Sequence, residues 1–322
     1  MMANLGSPSS FWRNWAARLV VGSLLIALAL AVLVFDQKWA PWYPCLAVAT
    51  LVFGFLASWE YRQLLPEPRP SASWLCTGVV AVLLANWIVP VSSYWRGSDR
   101  ITSGLPLMSG ALTTVACTVV VVLLVGFLLE MARFQQPNGA TSRLGYGALS
   151  LVWLGVAPSF LVQLRWFSEA TNSGNPSAQD LGFWALAFGI FVPKVGDIAA
   201  YFVGSFLGRH PLAPVLSPKK TWEGALGGLL GSLAAGLAIT YLSQAIAGLP
   251  LLTWSAMLFA SLTVGVVAQV SDLAESLVKR DRQVKDTSAY VPGLGGVLDT
   301  IDSLLFSAPV SWVVLHLFAR SY

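Results

Sequence analysis

Charge is what this chain has least of. Of its 322 residues 11% are Asp, Glu, Lys or Arg, while 56% are hydrophobic. A soluble domain carries about a quarter charged residues, so a water-soluble fold of this size would struggle to solvate its surface. A bilayer as solvent removes the difficulty. The mean hydropathy of +0.69 agrees, as do 14 Trp and 28 Gly. Membrane proteins favour Trp at interfaces and tolerate Gly in helices. Histidine is scarce too. His210 and His316 are too far apart in sequence to form a local metal motif, and there is no HExxH. His316 is expected to be packed or interfacial. No GxSxG, Walker A or dinucleotide fingerprint stands in a useful context. Cysteine is limited to Cys45, Cys76 and Cys117, each in an apolar run with no CxxC and no nearby His. Nothing in this suggests a disulfide framework, and the three read as buried, inert thiols.

Long apolar runs are what the chain has most of. A bilayer core needs about 20 apolar residues per helix. Nine stretches qualify, roughly 19–35, 41–59, 74–93, 107–130, 145–164, 182–206, 225–247, 252–270 and 303–319. The runs are continuous rather than alternating, which favours helices over a barrel. The segment Met1 to Arg18 is short and polar, and no clear cleavage site follows it, so the first run reads as a retained span. The expected fold is an all-α, polytopic transmembrane helix bundle of about nine spans. Its two regions are N-terminal transmembrane helices (1–180) and a C-terminal catalytic region with cytoplasmic loops (181–322).

The net charge of +4 is explained by topology. With the N-terminus inside, the inner segments hold Arg13, Arg18, Arg62, Arg69, Arg133, Arg143, Arg209, Lys219, Lys220, Lys279, Arg280, Arg282 and Lys285. The outer segments hold only Lys38, Arg96, Arg100, Arg165 and Arg320. This is the positive-inside asymmetry. No Lys/Arg block is long enough to suggest a nucleic-acid partner. The same topology puts the two most polar loops, 207–224 and 271–302, on the cytoplasmic side, where nucleotides are available. Segments 96–104 and 168–180 read as plain outer connections. The expected location is the cell inner membrane, multi-pass, with the active site facing the cytoplasm.

The last third breaks membrane composition rules. Lys194 and Asp197 lie in the apolar run Phe183 to Phe206, where ionisable groups are costly and face a polar cavity; the bland alternative is a span that ends early near Pro193. Ser217-Pro218-Lys219-Lys220-Thr221 pairs two point charges with the flanking Ser217 and Thr221 hydroxyls, a combination suited to phosphate. Pro218 and Thr221 also suit the start of the next helix, whose N-terminus favours an anion. If the eighth span continues as a helix from Asp272 to Arg280, then Asp272, Glu275, Ser276 and Lys279 share a face. If Asp299 opens the ninth, Asp299 and Asp302 do likewise. Gly295 and Gly296 between them let backbone approach a ligand closely. Nucleotidyl transfer needs carboxylates to hold Mg²⁺ and cations to offset developing charge. Asp272, Asp299 and Asp302 could supply the first. Lys279, Arg280 and Lys285 could supply the second. The bland alternatives are a positive-inside anchor and a solvated, self-neutralising charged loop.

At these two loops the sequence resembles the phosphatidate cytidylyltransferase family. The family's SPKKTWEG stretch is matched at Ser217 to Gly224, and Gly196-Asp197 through Tyr201, with Gly204 and Gly208, is similar to its G-D-x-x-A-Y-x-x-G segment. Ser276, Lys279-Arg280, Lys285-Asp286, Pro292-Gly293, Gly295-Gly296, Asp299 and Asp302 fall at the places of its C-terminal signature. The motif-bearing match covers about 183–310. Leu294 stands where the family has His, Thr300 where it has Arg, and Ser271 where it has Gly. The resemblance implies CTP and phosphatidate as substrates and CDP-diacylglycerol and pyrophosphate as products. It implies Asp272, Asp299 and Asp302 as metal ligands, with Asp197 and Asp286 behind them, and Lys219, Lys220, Lys279, Arg280 and Lys285 as phosphate contacts. A homodimer is compatible with this reading. A cytidylyltransferase for another lipid phosphate and a CTP-dependent lipid kinase stay open. A transporter is disfavoured because the polar features cluster in one half. The D-G-x-x-A-R pattern of CDP-alcohol phosphotransferases is absent.

Overall fold

The computed structural model describes residues 24, 26–95, 110–171, 179–248, 250–288, 290 and 295–319. Eight helices among them are long and apolar enough to cross a membrane: α1 (Pro44–Leu64), α2 (Ala72–Ser92), α3 (Gly110–Arg133), α4 (Ala140–Phe167), α5 (Leu181–Leu207), α6 (Trp222–Ala247), α7 (Trp254–Asp281) and α8 (Val297–Phe318). Residues 26–36 are also helical, within the first of the expected runs. The rest of that run, the N-terminal segment 1–18, the connection 96–104 and most of 168–180 lie outside the described residues. The protein is an all-α polytopic bundle. Its outward faces are apolar, as on α3, where Val120, Leu124, Leu128 and Met131 are exposed. Hydrocarbon, unlike water, makes such a surface stable.

Helix starts follow the local sequence. Thr221 caps α6 by accepting the Gly224 N–H at 3.1 Å, and Thr253 caps α7 through Ala256 N–H at 3.3 Å. Asp36 accepts from Cys45 and Leu46 at 2.8 and 2.5 Å, closing the start of α1. These bonds satisfy backbone donors that a helix leaves orphaned.

Three sequence expectations are corrected. The acids of 271–302 are not in a loop: α7 runs on to Asp281 and α8 begins at Val297, because both stretches keep a helical face pointing into the protein. The expected span 182–206 holds: α5 passes Pro193 and continues to Leu207. Segment 207–224 is not a plain loop either. It holds a hairpin of β1 (Pro211–Ala213) and β2 (Ser217–Thr221), antiparallel. Of the three thiols only Cys76 is buried; Cys45 and Cys117 are exposed. An outward thiol on an apolar helix still meets hydrocarbon, so burial inside the protein is not required of it.

α5 and α6 pack closely through glycine. A Cβ added at Gly228 would stand 3.1 Å from the Gly196 carbonyl, so this crossing needs small residues. α8 packs against α7, α5, α4 and α1, which puts its first turn inside the bundle, in contact with helices from both halves of the chain.

Candidate active site

The site forms where α5, α7, α8 and the hairpin meet. Asp272, Glu275 and Asp302 offer carboxylate oxygens that all lie within 4.8 Å of one another. Asp272 and Glu275 come from successive positions on one face of α7, and Asp302 from the second turn of α8. Around them stand three lysines. Lys220 Nζ is 2.6 Å from Asp272 Oδ2, without hydrogen-bond directionality. Lys279 contacts Glu275 and lies 2.7 Å from Asp299 Oδ1. Lys194 bonds Ser303 Oγ at 2.7 Å and Asp197 Oδ2 at 3.3 Å, with Asp302 Oδ1 at 3.7 Å.

The hairpin explains the lysine pair. Side chains alternate along a strand, so Lys219 is exposed while Lys220 is partly buried and turned to Asp272. Two contacts fix the hairpin. Glu223 accepts from the backbone N–H groups of Arg209 (3.0 Å) and His210 (3.3 Å), and its Oε1 lies 2.6 Å from His210 Nδ1. Arg280, at the end of α7, donates through Nε to the Leu216 carbonyl at 3.0 Å and through a terminal nitrogen to the Val284 carbonyl at 3.0 Å. Arg280 therefore ties the hairpin to α7. His316 is remote from all this, stacked on Trp312 at 3.9 Å between centroids and edge-on to Phe167.

Asp299 stands apart from the trio. Its Oδ2 accepts Gly296 N–H at 2.6 Å, Thr287 N–H at 3.0 Å and Thr287 Oγ1 at 2.9 Å, and its Oδ1 meets Lys279. It reaches back to cap its own helix, as a carboxylate at the third helical position does in a capping box. The Gly296 amide is thus already paired. Gly295 has φ +100°, a left-handed conformation that favours glycine. Ser217 is partly buried in β2, Thr221 Oγ1 is used in capping, and Lys285 and Asp286 are exposed on the connection to α8. Leu294, with Pro292 and Gly293, lies outside the described residues. Thr300 returns its hydroxyl to the Gly296 carbonyl at 3.0 Å. Ser271 inserts Oγ into α8: it donates to the Asp302 carbonyl and accepts Phe306 N–H at 3.1 Å, bridging two atoms that one helical rung would join.

Sequence reasoning missed two residues. Glu60, on α1, is fully buried and accepts from Ser288 Oγ (2.6 Å), Thr287 Oγ1 (3.2 Å), Val297 N–H (2.9 Å) and Leu298 N–H (2.8 Å). An acid near the end of an apolar run was the available signal. Glu275 was placed on the right face but not among the site residues; it is fully buried, and neither oxygen has a hydrogen bond.

Beside the acids opens a cavity of about 520 Å³. Its lining is mostly aliphatic, from Ile26 and Leu28, Leu46 and Phe53 of α1, Leu161 of α4 and Ile190 of α5, and it ends on Lys194, Asp197, Asp272, Asp299 and Asp302. An oily chamber with a charged end suits an amphiphile.

Residues 16–318 match the Cytidylyltransferase family. The chain belongs to the cytidylyltransferase family. It is 31% identical over 310 residues to a phosphatidate cytidylyltransferase of Synechocystis sp., covering 91% of this chain and 94% of that one. A phosphatidate cytidylyltransferase of Haemophilus influenzae is 29% identical over 285 residues, 88% and 93% of the two chains. One of Brucella suis is 35% identical over 198 residues, 62% and 67%. Cytidylyl transfer accounts for a carboxylate trio beside lysines better than ion transport does, since the polar groups converge at one end of the cavity.

Proposed function

We propose that this cytidylyltransferase joins CTP to phosphatidate, giving CDP-diacylglycerol and pyrophosphate, at the cytoplasmic face of a bacterial inner membrane. The observation that carries the reading is the continuity of the acidic trio with the apolar cavity. Nucleotide chemistry and a hydrocarbon chain have adjoining places. The relatives' names and the Lys/Arg asymmetry of the sequence support the substrate and the orientation.

The donor set fits a divalent cation. Asp197, Asp272, Glu275, Asp299 and Asp302 face Lys194, Lys220 and Lys279, a formal excess of two negative charges. Glu275 Oε1, buried without a hydrogen bond, points the same way. Asp272, Glu275 and Asp302 would hold Mg²⁺, with Asp197 and Asp299 flanking. When bound, the ion neutralises phosphate charge and orients the nucleotide.

In the reaction a phosphatidate oxygen attacks the α-phosphorus of CTP, a new P–O bond forms, and pyrophosphate departs. The nucleophile is already an anion, so no general base is needed, which agrees with the lack of histidine near the acids. The chain supplies positioning and electrostatics. Lys219 and Lys220 arrive on the hairpin from the aqueous side, placed for the nucleotide's phosphates. The apolar cavity holds an acyl chain and excludes water from the phosphatidate side.

The test is direct. Purified protein with labelled CTP, phosphatidate and Mg²⁺ is expected to form CDP-diacylglycerol and one equivalent of pyrophosphate. Labelled product with another lipid phosphate, but none with phosphatidate, would transfer the reading to that lipid. Transfer of the γ-phosphate instead would identify a kinase.

A further inference from the structure

We propose that Lys194 binds the phosphate of the lipid substrate. This rests on the reading of the site as a lipid-phosphate cytidylyltransferase, and it assigns a lipid contact within it. Lys194 is the sole basic residue lining the cavity among the described residues. It stands where the aliphatic wall of Ile190 and Phe191 gives way to Asp197 and Asp302. A lipid whose chain fills the apolar part brings its headgroup to this ammonium.

The ammonium has three donors. One reaches Ser303 Oγ at 2.7 Å and one reaches Asp197 Oδ2 at 3.3 Å. Asp302 Oδ1, at 3.7 Å, is a charge contact beyond hydrogen-bond length. The third donor has no hydrogen-bond partner among the described residues. The other two lysines of the site do not line the cavity: Lys220 pairs with Asp272, and Lys279 lies between Glu275 and Asp299. An anionic headgroup entering between Asp197 and Asp302 meets repulsion that only Lys194 offsets from the cavity side. An ionisable group within a span is costly, and such residues mark substrate paths. The same ammonium would repel the cation of a zwitterionic headgroup, so Lys194 also selects a phosphomonoester.

The test is steady-state kinetics of the full chain in mixed micelles, varying phosphatidate at saturating CTP and the reverse. Lys194→Met is expected to raise KM for phosphatidate about tenfold or more while KM for CTP moves less than about twofold, the loss of one charged hydrogen bond. Lys194→Arg, which keeps the charge, is expected to hold the lipid KM within about threefold. If Lys194→Met does not fold, Lys194→Gln, which keeps a donor for Ser303 without charge, carries the same measurement. A rise confined to CTP, an equal rise in both constants, or a fall in kcat with the lipid KM unchanged would overturn the assignment and leave the activity standing. Absence of any cytidylyl-lipid product from the wild type would overturn the activity itself, and the assignment with it.

Discussion

The Glu60 carboxylate accepts the backbone N–H of Leu298 at 2.8 Å, 238 residues further along the chain. With Val297 N–H on its other oxygen and Gly296 N–H on Asp299, three successive amides at the start of α8 are satisfied by carboxylates. The positive end of a helix is a natural anion site. Here a protein acid already fills it, so the amides of Val297 and Leu298 are not open to a substrate phosphate. The bond also joins α1 to the helix that carries Asp302, across the division expected at residue 180. Part of the N-terminal half thus sets the geometry of the acids.

Substitution of Glu60 is therefore expected to act on both stability and turnover. Glu60→Ala leaves the amides of Val297 and Leu298 and the Ser288 hydroxyl without their acceptor, while Thr287 keeps Asp299, at a cost of about 3 kcal/mol. Glu60→Gln does not rescue it. An amide has one acceptor oxygen and presents N–H donors where the second oxygen stood, facing donors of α8. Both variants should show a lower apparent melting temperature in detergent, measured by scanning fluorimetry, and turnover reduced by about tenfold or more. Unchanged melting with full activity would show that the cap does not matter.

Asp302→Asn should separate fold from chemistry. Asp302 is one of the clustered acids and its side chain also lies near Lys194, while its backbone carbonyl keeps the bond from Ser271. Turnover should fall about 100-fold or more, equivalent to about 3 kcal/mol of barrier, with melting little changed. Asp299→Asn should differ, because Asp299 holds Gly296, Thr287 and Lys279. It should lose activity and stability together. Parallel kinetics and melting of the two variants check the distinction.

Removal of divalent cations should stop the reaction. EDTA is expected to bring product formation to background, and excess Mg²⁺ to restore it. Glu275→Gln should demand a higher Mg²⁺ concentration for half-maximal rate, by about tenfold, since it withdraws one charged ligand. An activation curve unchanged by the substitution would remove Glu275 from the donor set.

The bundle was legible because twenty-residue apolar runs have one economical fate in a bilayer. The last third was legible because Lys194, Asp197, Asp272 and Asp302 violate that composition, and a violation has to be met by neighbours. What stayed hidden was partnership. The sequence places Asp272 and Glu275 on one face of α7, but it cannot say that Lys220 comes from a hairpin to meet the first, or that Asp299 turns back to cap α8. The role of Glu60 was hidden for the same reason, although an acid in an apolar run was there to be seen: its partners are backbone amides and hydroxyls some 230 residues away, which leave no side-chain pattern. Ser271 reads as a small helix residue until its hydroxyl is seen between the Asp302 carbonyl and Phe306 N–H.

Arg280, expected from the sequence to meet phosphate, holds the hairpin that carries Lys219 and Lys220. Its guanidinium is turned to the carbonyls of Leu216 and Val284, so it clamps the hairpin that presents Lys219 and Lys220. Arg280→Ala should free the hairpin from α7. The link to the hairpin is one hydrogen bond from a charged donor to the Leu216 carbonyl, worth about 1 kcal/mol at this partly exposed position. Limited proteolysis should then cut faster around Pro214–Leu216, and KM for CTP should rise while the lipid KM holds. Arg280→Lys should not restore either property, because one ammonium cannot reproduce the guanidinium's fixed fork to two carbonyls. If proteolysis is unchanged and only kcat falls, Arg280 touches the phosphates itself and the clamp is incidental.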